Sequence, residues 1–258
     1  MKIAFPTDEH HPFADQGARS VALKIVRDFA PDVTVAGSDG IDFYGISRFD
    51  KNPARMKANG LQTEIDAWAA GQREWISAAS SSAFFYIPGN HEDRLEKYLW
   101  RHPELHGLNA LALPNLLGLD GLGVLHQGFE HGEIRYTGRE LEIARVLVVR
   151  HGTVARKHSG YTAKAELENE FYSRSTLTGH NHRGGSHYAT TRDGLVQGHE
   201  SFCLCSLEPE YVEGLPNWQH GIVLATVTQG VIGVELVPFS RIEGKTAAIW
   251  RGELYREE

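Results

Sequence analysis

Short apolar runs that each stop at polar side chains recur along this chain and limit the folds open to it. Runs such as "KIAF", "VTVAG", "AFFYI", "VLVV" and "STLT" have the length and composition of buried strands. The polar residues after them are Asp8 and His10, Asp39, Asn90 and His91, His151, and His180 with His182. Active sites of layered α/β proteins collect at strand ends. The pattern therefore predicts that these side chains meet in one site.

Helical periodicity fills the gaps between the first runs. "ARSVALKIVRDFAPD" carries Val21, Ile25 and Phe29 at helical spacing and ends at Pro31. Residues 53–81 are predicted as one helix, and "DRLEKYLWRH" as another. The buried stripe of the 53–81 helix is predicted to contain Leu61, Ile65, Trp68, Ala69, Trp75 and Ile76.

The second half of the chain favours strands. "SFCLCSL" is predicted as a strand, "GIVLATVTQGVIGVELVPF" as two strands around a Gln-Gly turn, and "TAAIWRGELY" as a final strand. Strand–helix alternation followed by strands predicts an α/β protein with packed sheets and outer helices. We expect residues 1–258 to form one domain.

Composition narrows the functional classes. The chain has 26 basic and 33 acidic residues, a net charge of −7, which disfavours a protein that grips long nucleic acid, although a local basic cleft is compatible with it. No apolar run approaches the roughly 20 residues of a membrane span. The start of the chain lacks the apolar segment of a signal peptide, and two cysteines make no disulfide framework. We therefore expect a cytoplasmic protein that does not associate with membranes.

The polar clusters have simple interpretations one at a time, such as turn aspartates or core histidines. In an extended chain Asp8 and His10 would point the same way and could grip one ion. Taken together at strand ends, the carboxylates and imidazoles form a nitrogen and oxygen ligand set without sulfur. Such a set suits manganese, iron, zinc or a similar divalent ion, as one ion or as two.

Five motifs in order resemble the calcineurin-like metallophosphoesterase superfamily, whose fold is a four-layer α/β/β/α sandwich. They are Asp8-x-His10, Asp39, Gly89-Asn90-His91-Glu92, His151-Gly152 and Gly179-His180-Asn181-His182. "SDGIDFYGISRFDKNP" and "YIPGNHEDRLEKYL" look closest to the phage-type branch. One position departs from the family pattern, because Ser38 stands where glycine is usual. The tight turn there must be made in another way, with help expected from Gly40.

The resemblance implies a pair of divalent metal ions and a role for each motif residue. The ligands would be Asp8, His10 and His182 for one ion, Asn90, His151 and His180 for the other, and Asp39 as the catalytic bridge. His91 would lie beside the metals as the general acid that protonates the leaving oxygen. Asn90 and His91 would contact the substrate. Arg94, three residues after His91, is a candidate for contact with a substrate phosphate, with a surface position at the start of a helix as the slightly favoured alternative. Manganese is the favoured metal, with iron, zinc, nickel and magnesium as alternatives.

The implied activity is hydrolysis of a phosphomonoester or phosphodiester by hydroxide that the two metals activate. The partner would be a phosphate ester, with nucleotides and nucleic acid among the candidates. One alternative is a nuclease that acts on DNA or RNA ends with the same metal site. Another is a binding module without catalysis, which would be expected to lack some of the ligands. The sequence carries no indication of oligomeric state.

Several neighbouring residues are expected to have structural roles. Asp42 should support the site through hydrogen bonds. Cys203 and Cys205 should pack in the core, and packing is favoured over ligand stacking for Trp218. The loop "LEPEYVEGLPNWQHG" is a candidate pocket wall. A solvated face is favoured over a phosphate cleft for most of the basic residues near His151, namely Arg150, Arg156, Lys157 and Lys164.

Overall fold

The structure, a computed structural model, describes residues 1–49, 51–58, 60–80, 82–209 and 216–258. The strands in these ranges are β1 (Lys2–Phe5), β2 (Val33–Gly37), β3 (Ala83–Ile87), β4 (Phe129–His131), β5 (Ile134–Tyr136), β6 (Glu140–Ile143), β7 (Leu147–Arg150), β8 (Ser175–Thr178), β9 (Gly185–Thr191), β10 (Gly194–Glu200), β11 (Gly221–Thr228), β12 (Val231–Pro238), β13 (Ser240–Ile242), β14 (Lys245–Trp250) and β15 (Glu253–Arg256). The α-helices are α1 (Gln16–Phe29), α2 (Pro53–Ala58), α3 (Leu61–Ala78), α4 (Asp93–Arg101), α5 (Leu113–Leu117), α6 (Leu119–Leu122) and α7 (Tyr161–Asn169).

The first sheet has the strand order β12-β11-β1-β2-β3 within the described residues. β1, β2 and β3 are parallel to one another, and β11 runs antiparallel to β1. A parallel pair needs a long crossover, and helices supply it here: α1 joins β1 to β2, and α3 lies between β2 and β3. The predicted alternation of strands and helices in the first half of the chain is confirmed.

The second sheet has the strand order β4-β5-β6-β7-β8-β10-β9 within the described residues. β7 is parallel to β8, with α7 as the connection, and β8 is parallel to β10. Gly198 in β10 lets α7 come close, because a Cβ there would lie 2.5 Å from the carbonyl oxygen of Ala163. At one side of this sheet, the short strands β4, β5 and β6 form an antiparallel meander, with β4 at the edge.

The two sheets pack face to face through an apolar core. Ile3 and Phe5 of β1 lie in this core with Leu177 of β8, whereas Ala4 faces the opposite side and packs with the helices. This alternation is what a strand that is covered on both faces requires. With α1 and α3 outside the first sheet and α7 outside the second, the layers are α/β/β/α, as predicted.

The 53–81 segment differs from its prediction as a single helix. It forms α2 and α3, and Gly60 precedes α3 in an extended conformation as its N-cap. The glycine has low helix propensity, which allows the chain to break there. The predicted buried stripe of α3 is confirmed, since Ile65, Trp68 and Trp75 are buried and Leu61, Ala69 and Ile76 are partly buried against the same core.

Two predictions for the last third of the chain are wrong. "SFCLCSL" forms no regular strand: Cys203 and Cys205 make only isolated bridges, because the segment contacts two different loops. "TAAIWRGELY" contains two strands, β14 and β15, since Arg251 and Gly252 adopt left-handed conformations that turn the chain. With β13 these strands form a third sheet that packs on α1, where Trp250 contacts Phe29. The Gln229-Gly230 hairpin between β11 and β12 is confirmed.

The carboxyl ends of β1, β2 and β3 lie at the same edge of the first sheet because the three strands are parallel. The ends of β7 and β8 likewise lie together in the second sheet. The polar residues that follow these five strands therefore lie together at the carboxyl ends of the parallel strands of both sheets. Within the described residues, no helix combines the length and the apolar character that crossing a bilayer requires.

Candidate metal centre

The first group of candidate ligands follows β1 and β8. Nε2 of His182 lies 3.2 Å from Oδ1 of Asp8 and 3.1 Å from Nε2 of His10. All three residues are buried. Donor atoms that each lie about 2.1 Å from one ion and meet at right angles are about 3 Å apart. The group therefore has the separations and the chemistry of a divalent cation site.

The second group surrounds Nε2 of His151, at the end of β7. This nitrogen lies 3.0 Å from Oδ1 of Asn90, 3.1 Å from Nδ1 of His180 and 3.4 Å from Oδ2 of Asp39. Asp39, His151 and His180 form one of the sets of side chains that could hold a metal ion. Asn90 adds a neutral oxygen donor.

Asp39 links the two groups. Its carboxylate also belongs to a second potential ion-binding set, with His10 and His91. Burial would raise the pKa of Asp39, yet the imidazoles of His151, His91 and His10 hold that pKa below its ordinary value. The carboxylate is therefore ionised at neutral pH, and it lies near His10 of the first group and near His151 and His180 of the second.

The backbone positions Asp8 and His10 differently from the extended chain assumed above. Both residues have left-handed conformations, with φ of 54° and 50°. The loop that carries them pairs with the loop after β2, because the Asp8 amide donates to the Ser38 carbonyl and the His10 amide to that of Asp39, each at 2.9 Å. The two side chains converge because one ligand loop is hydrogen-bonded to the other.

Three of the histidines use their two ring nitrogens differently. One nitrogen faces a candidate ion site, and the other has a polar or sulfur neighbour. These neighbours are Oδ2 of Asp42 for His10 (3.3 Å), Oγ of Ser38 for His151 (2.9 Å) and Sγ of Cys205 for His182 (3.9 Å). Metal-binding histidines are usually oriented in this way by a group on the far side of the ring. The arrangement fits a site that holds divalent metal.

His91 and Arg94 lie beside these groups and are held by Asp42. Nδ1 of His91 is 3.2 Å from Oδ2 of Asp42, and Nη1 of Arg94 donates to Oδ1 at 2.8 Å. Nη2 of Arg94 lies 2.8 Å from Nε2 of His91. Burial by itself would lower the pKa of His91. The carboxylates of Asp39 and Asp42 raise that pKa by more than burial lowers it, so it lies above its ordinary value. The supporting role predicted for Asp42 agrees with these contacts.

Glu92 is a buried residue to which the sequence analysis assigned no separate role. Its carboxylate accepts hydrogen bonds from the amides of Gly89 (2.7 Å), Gly40 (3.0 Å) and Asp39 (3.2 Å). It thus ties the loop after β3 to the loop after β2. Gly89 permits this close approach, because a Cβ there would collide with Oδ1 of Asp39. The position of Glu92 directly after Asn90-His91 was the available signal.

The turn at Ser38 does not use a left-handed conformation at Gly40. Ser38 and Asp39 themselves adopt left-handed conformations, with φ of 57° and 58°, after Gly37 at 84°. Gly40 is not among the residues with positive φ. The hydrogen bonds that hold this loop offset the cost of left-handed residues with side chains.

Cys205 and Trp218 both contact the first group. Cys203 and Cys205 are buried, as expected. Cys205 also lies near enough to join His10 and His182 in a potential ion-binding set, which the sequence did not predict. The Trp218 ring packs against His182 with 4.2 Å between centroids. Residues 210–215 of the loop proposed as a pocket wall lie outside the described residues.

Arg150 is held in a network of acidic side chains. It contacts Glu170 at 2.6 Å, Glu166 at 2.8 Å and Glu140 at 3.0 Å. Lys164 pairs with Glu168 at 3.4 Å. Arg150 and Lys164 are therefore engaged in ion pairs. This agrees with the prediction that most of the basic residues near His151 do not line a phosphate-binding cleft.

Comparisons with known proteins find similarity among solved structures. No family model and no curated protein matches the sequence. Among solved structures, Vps29 of Chaetomium thermophilum is similar at 10% identity and a TM-score of 0.49, covering 100% of this chain and 97% of Vps29. TT1561 of Thermus thermophilus is similar at 10% identity and a TM-score of 0.33, covering 91% of this chain and 98% of that protein. At these values neither likeness bears on the activity of this chain.

Proposed function

We propose that this chain is a metal-dependent phosphoesterase of the calcineurin-like metallophosphoesterase superfamily. The observation that carries the proposal is that the carboxylate of Asp39 belongs to two potential ion-binding sets, one with His151 and His180 and one with His10 and His91. The outward ring nitrogens of His10, His151 and His182 each have an orienting neighbour, which supports ligand roles for the inward nitrogens. A module that had lost catalysis would have no need to retain the complete set.

The metal pair, most readily manganese, would supply electrostatic stabilisation of the phosphoryl group and activation of water. Asp8, His10 and His182 would hold one ion, and Asn90, His151 and His180 the other. Asp39 would hold both, and its negative charge would offset the repulsion between two cations so close together.

The remaining site residues would act on the substrate directly. Hydrolysis forms one bond from a water oxygen to phosphorus and breaks the bond to the leaving oxygen, which then takes a proton. Nδ1 of His91 is engaged by Asp42 and Nε2 accepts from Arg94, so Nε2 would deliver this proton only once Arg94 has turned from it to a phosphate oxygen. Arg94, 2.8 Å from that nitrogen, would bind a phosphate oxygen.

The test is a metal-supplemented assay with p-nitrophenyl phosphate and bis-p-nitrophenyl phosphate. We expect hydrolysis that depends on added divalent metal, is highest with manganese, and disappears with a chelator. If neither ester is hydrolysed with any of manganese, iron, zinc, nickel or magnesium, the proposal is contradicted. Membership of the phage-type branch and a cytoplasmic location stay predictions.

A further inference from the structure

A groove of about 530 Å³ opens beside the metal centre, between α4 and the segment after β2. The polar and aromatic residues that line it, here named the α4 groove, are Arg48, Phe49, Arg94, Lys97, Trp100 and Arg101. The cations of the groove were not singled out by the sequence analysis, apart from Arg94.

The α4 groove concentrates positive charge in a chain whose net charge is −7. Arg94, Lys97 and Arg101 lie on one face of α4 at spacings of three and four residues, and Arg48 lines the same groove. Arg94 pairs with Asp42 at 2.8 Å, whereas among the described residues Lys97 and Arg101 have no carboxylate within ion-pair distance. Arg150, with its three acidic partners, is the contrasting case. The exposed cations favour a polyanionic ligand.

Two large aromatic side chains are exposed in the same groove. Trp100 retains 62% of its surface and Phe49 retains 57%. The Arg48 guanidinium lies over the Phe49 ring, 5.2 Å from its centroid. Exposed rings beside a row of cations are the combination with which proteins bind single-stranded nucleic acid, because bases stack on the rings while the cations follow the phosphates.

The groove is continuous with the metal centre. Asn90 lines the groove, and its Oδ1 lies 3.0 Å from Nε2 of His151. Arg94 reaches from the groove to His91 at 2.8 Å. A chain of phosphates bound along α4 would therefore lead to the donors proposed to hold the metals.

The length of the α4 groove favours a nucleic-acid strand over a mononucleotide as its ligand. Arg94 and Arg101 are seven residues apart on α4, or about 10 Å along the helix axis. A single phosphate at the metal centre leaves the far cations without a partner, whereas successive phosphates reach them. Bases of a duplex are already stacked on one another, so the exposed rings favour an unpaired strand.

We propose that the α4 groove binds single-stranded nucleic acid and presents one of its phosphodiesters to the metal centre. This inference rests on the proposed function and names its substrate class. Cleavage would form a bond from water oxygen to phosphorus and break one bond from phosphorus to a sugar oxygen. The products are two shorter strands, one ending in a phosphomonoester and the other in a hydroxyl that has taken a proton.

The test is fluorescence anisotropy of a labelled 12-nucleotide oligothymidylate with phosphorothioate linkages, which resist hydrolysis, added to the manganese-loaded full chain. We expect Trp100→Ala to weaken binding by about fivefold or more. The double variant Lys97→Glu/Arg101→Glu should bind more weakly, with a salt dependence reduced by more than one unit of slope, since each phosphate contact contributes about 0.7. Arg192→Glu, a single charge reversal in the exposed β9–β10 turn, should bind as the wild type does.

The inference is overturned if the oligonucleotide binds no more tightly than thymidine monophosphate. It is also overturned if the groove variants bind as well as the wild type, or if Arg192→Glu weakens binding equally. Circular dichroism and metal content of each variant confirm that it is folded. Hydrolysis of bis-p-nitrophenyl phosphate by the wild type separates the two proposals. Ester hydrolysis without strand binding would contradict only the proposal that the α4 groove binds nucleic acid. Strand binding without hydrolysis of any phosphate ester would contradict the proposed function.

Discussion

The hydroxyl of Ser38 lies 2.9 Å from Nδ1 of His151. Ser38 occupies a left-handed backbone position, φ 57°, where a glycine would be free of strain. The hydroxyl is also 2.8 Å from that of Thr7, and the Thr7 hydroxyl in turn donates to the Asp8 carboxylate at 2.8 Å. Ser38 thus connects side chains of both candidate ion groups, although its left-handed backbone conformation destabilises the folded state.

Ser38→Gly should separate backbone strain from the orientation of His151. Loss of the hydroxyl frees the ring, and we expect metal affinity to fall by about 10- to 100-fold. Stability should stay equal or rise by about 1 kcal/mol, because the left-handed strain is relieved. The measurements are metal titration calorimetry and chemical unfolding.

Ala30→Gly is the matched control for Ser38→Gly. Ala30 also has a left-handed conformation, φ 47°, but it lies at the exposed end of α1. It should show the gain in stability without a change in metal affinity. Unaltered metal affinity in Ser38→Gly would show that the hydroxyl does not position His151.

Asp39→Asn should abolish turnover and lower the bound metal content. The amide keeps the size of the side chain but removes the negative charge proposed to sit between two cations. Metal content measured by mass spectrometry, together with ester hydrolysis, tests this. Asp66→Asn on the exposed surface of α3 is the control and should leave both readouts unchanged. Full metal occupancy in Asp39→Asn would argue against the bridge.

His91→Ala should retain metal and lose rate. A positioned general acid contributes about 10²- to 10⁴-fold, and this contribution matters most when the leaving oxygen is strongly basic. The loss should therefore be larger for an alkyl or phenyl ester than for a p-nitrophenyl ester. Equal losses for all leaving groups, or loss of metal, would show that His91 has another role.

Glu64 predicts a pH dependence of stability. Burial raises its pKa to about 7 from an ordinary 4.5, although the amides of Gly45 and Tyr44 donate to its carboxylate and lower the pKa. The folded state then holds a proton that the unfolded state releases, so the contribution of Glu64 to stability is greatest below pH 4.5 and is lost as pH rises through 7. The full difference is at most about 3 kcal/mol.

Glu64→Gln removes this titration. Its stability relative to the wild type should rise between pH 5 and pH 8, whatever its absolute stability at pH 5. Urea unfolding at a series of pH values gives the difference directly. A relative stability that is constant across this range would mean that Glu64 titrates near its ordinary value.

Much of the fold could be predicted because hydrophobic periodicity reports burial directly. The stripe of α3 and the strand-end positions of Asp39 and His151 follow from it. The convergence of Asp8 with His10 was also expected, but for a wrong reason. Alternation along an extended chain does not apply to two left-handed residues, whose positions are set by hydrogen bonds to a loop about 30 residues away.

Other features could not be predicted because they depend on contacts between distant segments. Lys97, Trp100 and Arg101 have the spacing of an ordinary solvated helix face, and only the fold places Arg48 and Phe49 opposite them. The short, partly polar strands β4, β5 and β6 become strands because they pair with one another and with β7. The position of a sulfur atom 3.9 Å from His182 has no local sequence signal.

The most direct measurement of the central claim is anomalous X-ray scattering from crystals grown with manganese. The account predicts two peaks per chain, one beside Asp8, His10 and His182, the other beside Asn90, His151 and His180, with Asp39 in contact with both. A single peak, peaks elsewhere, or imidazoles that point away from any bound ion would contradict it.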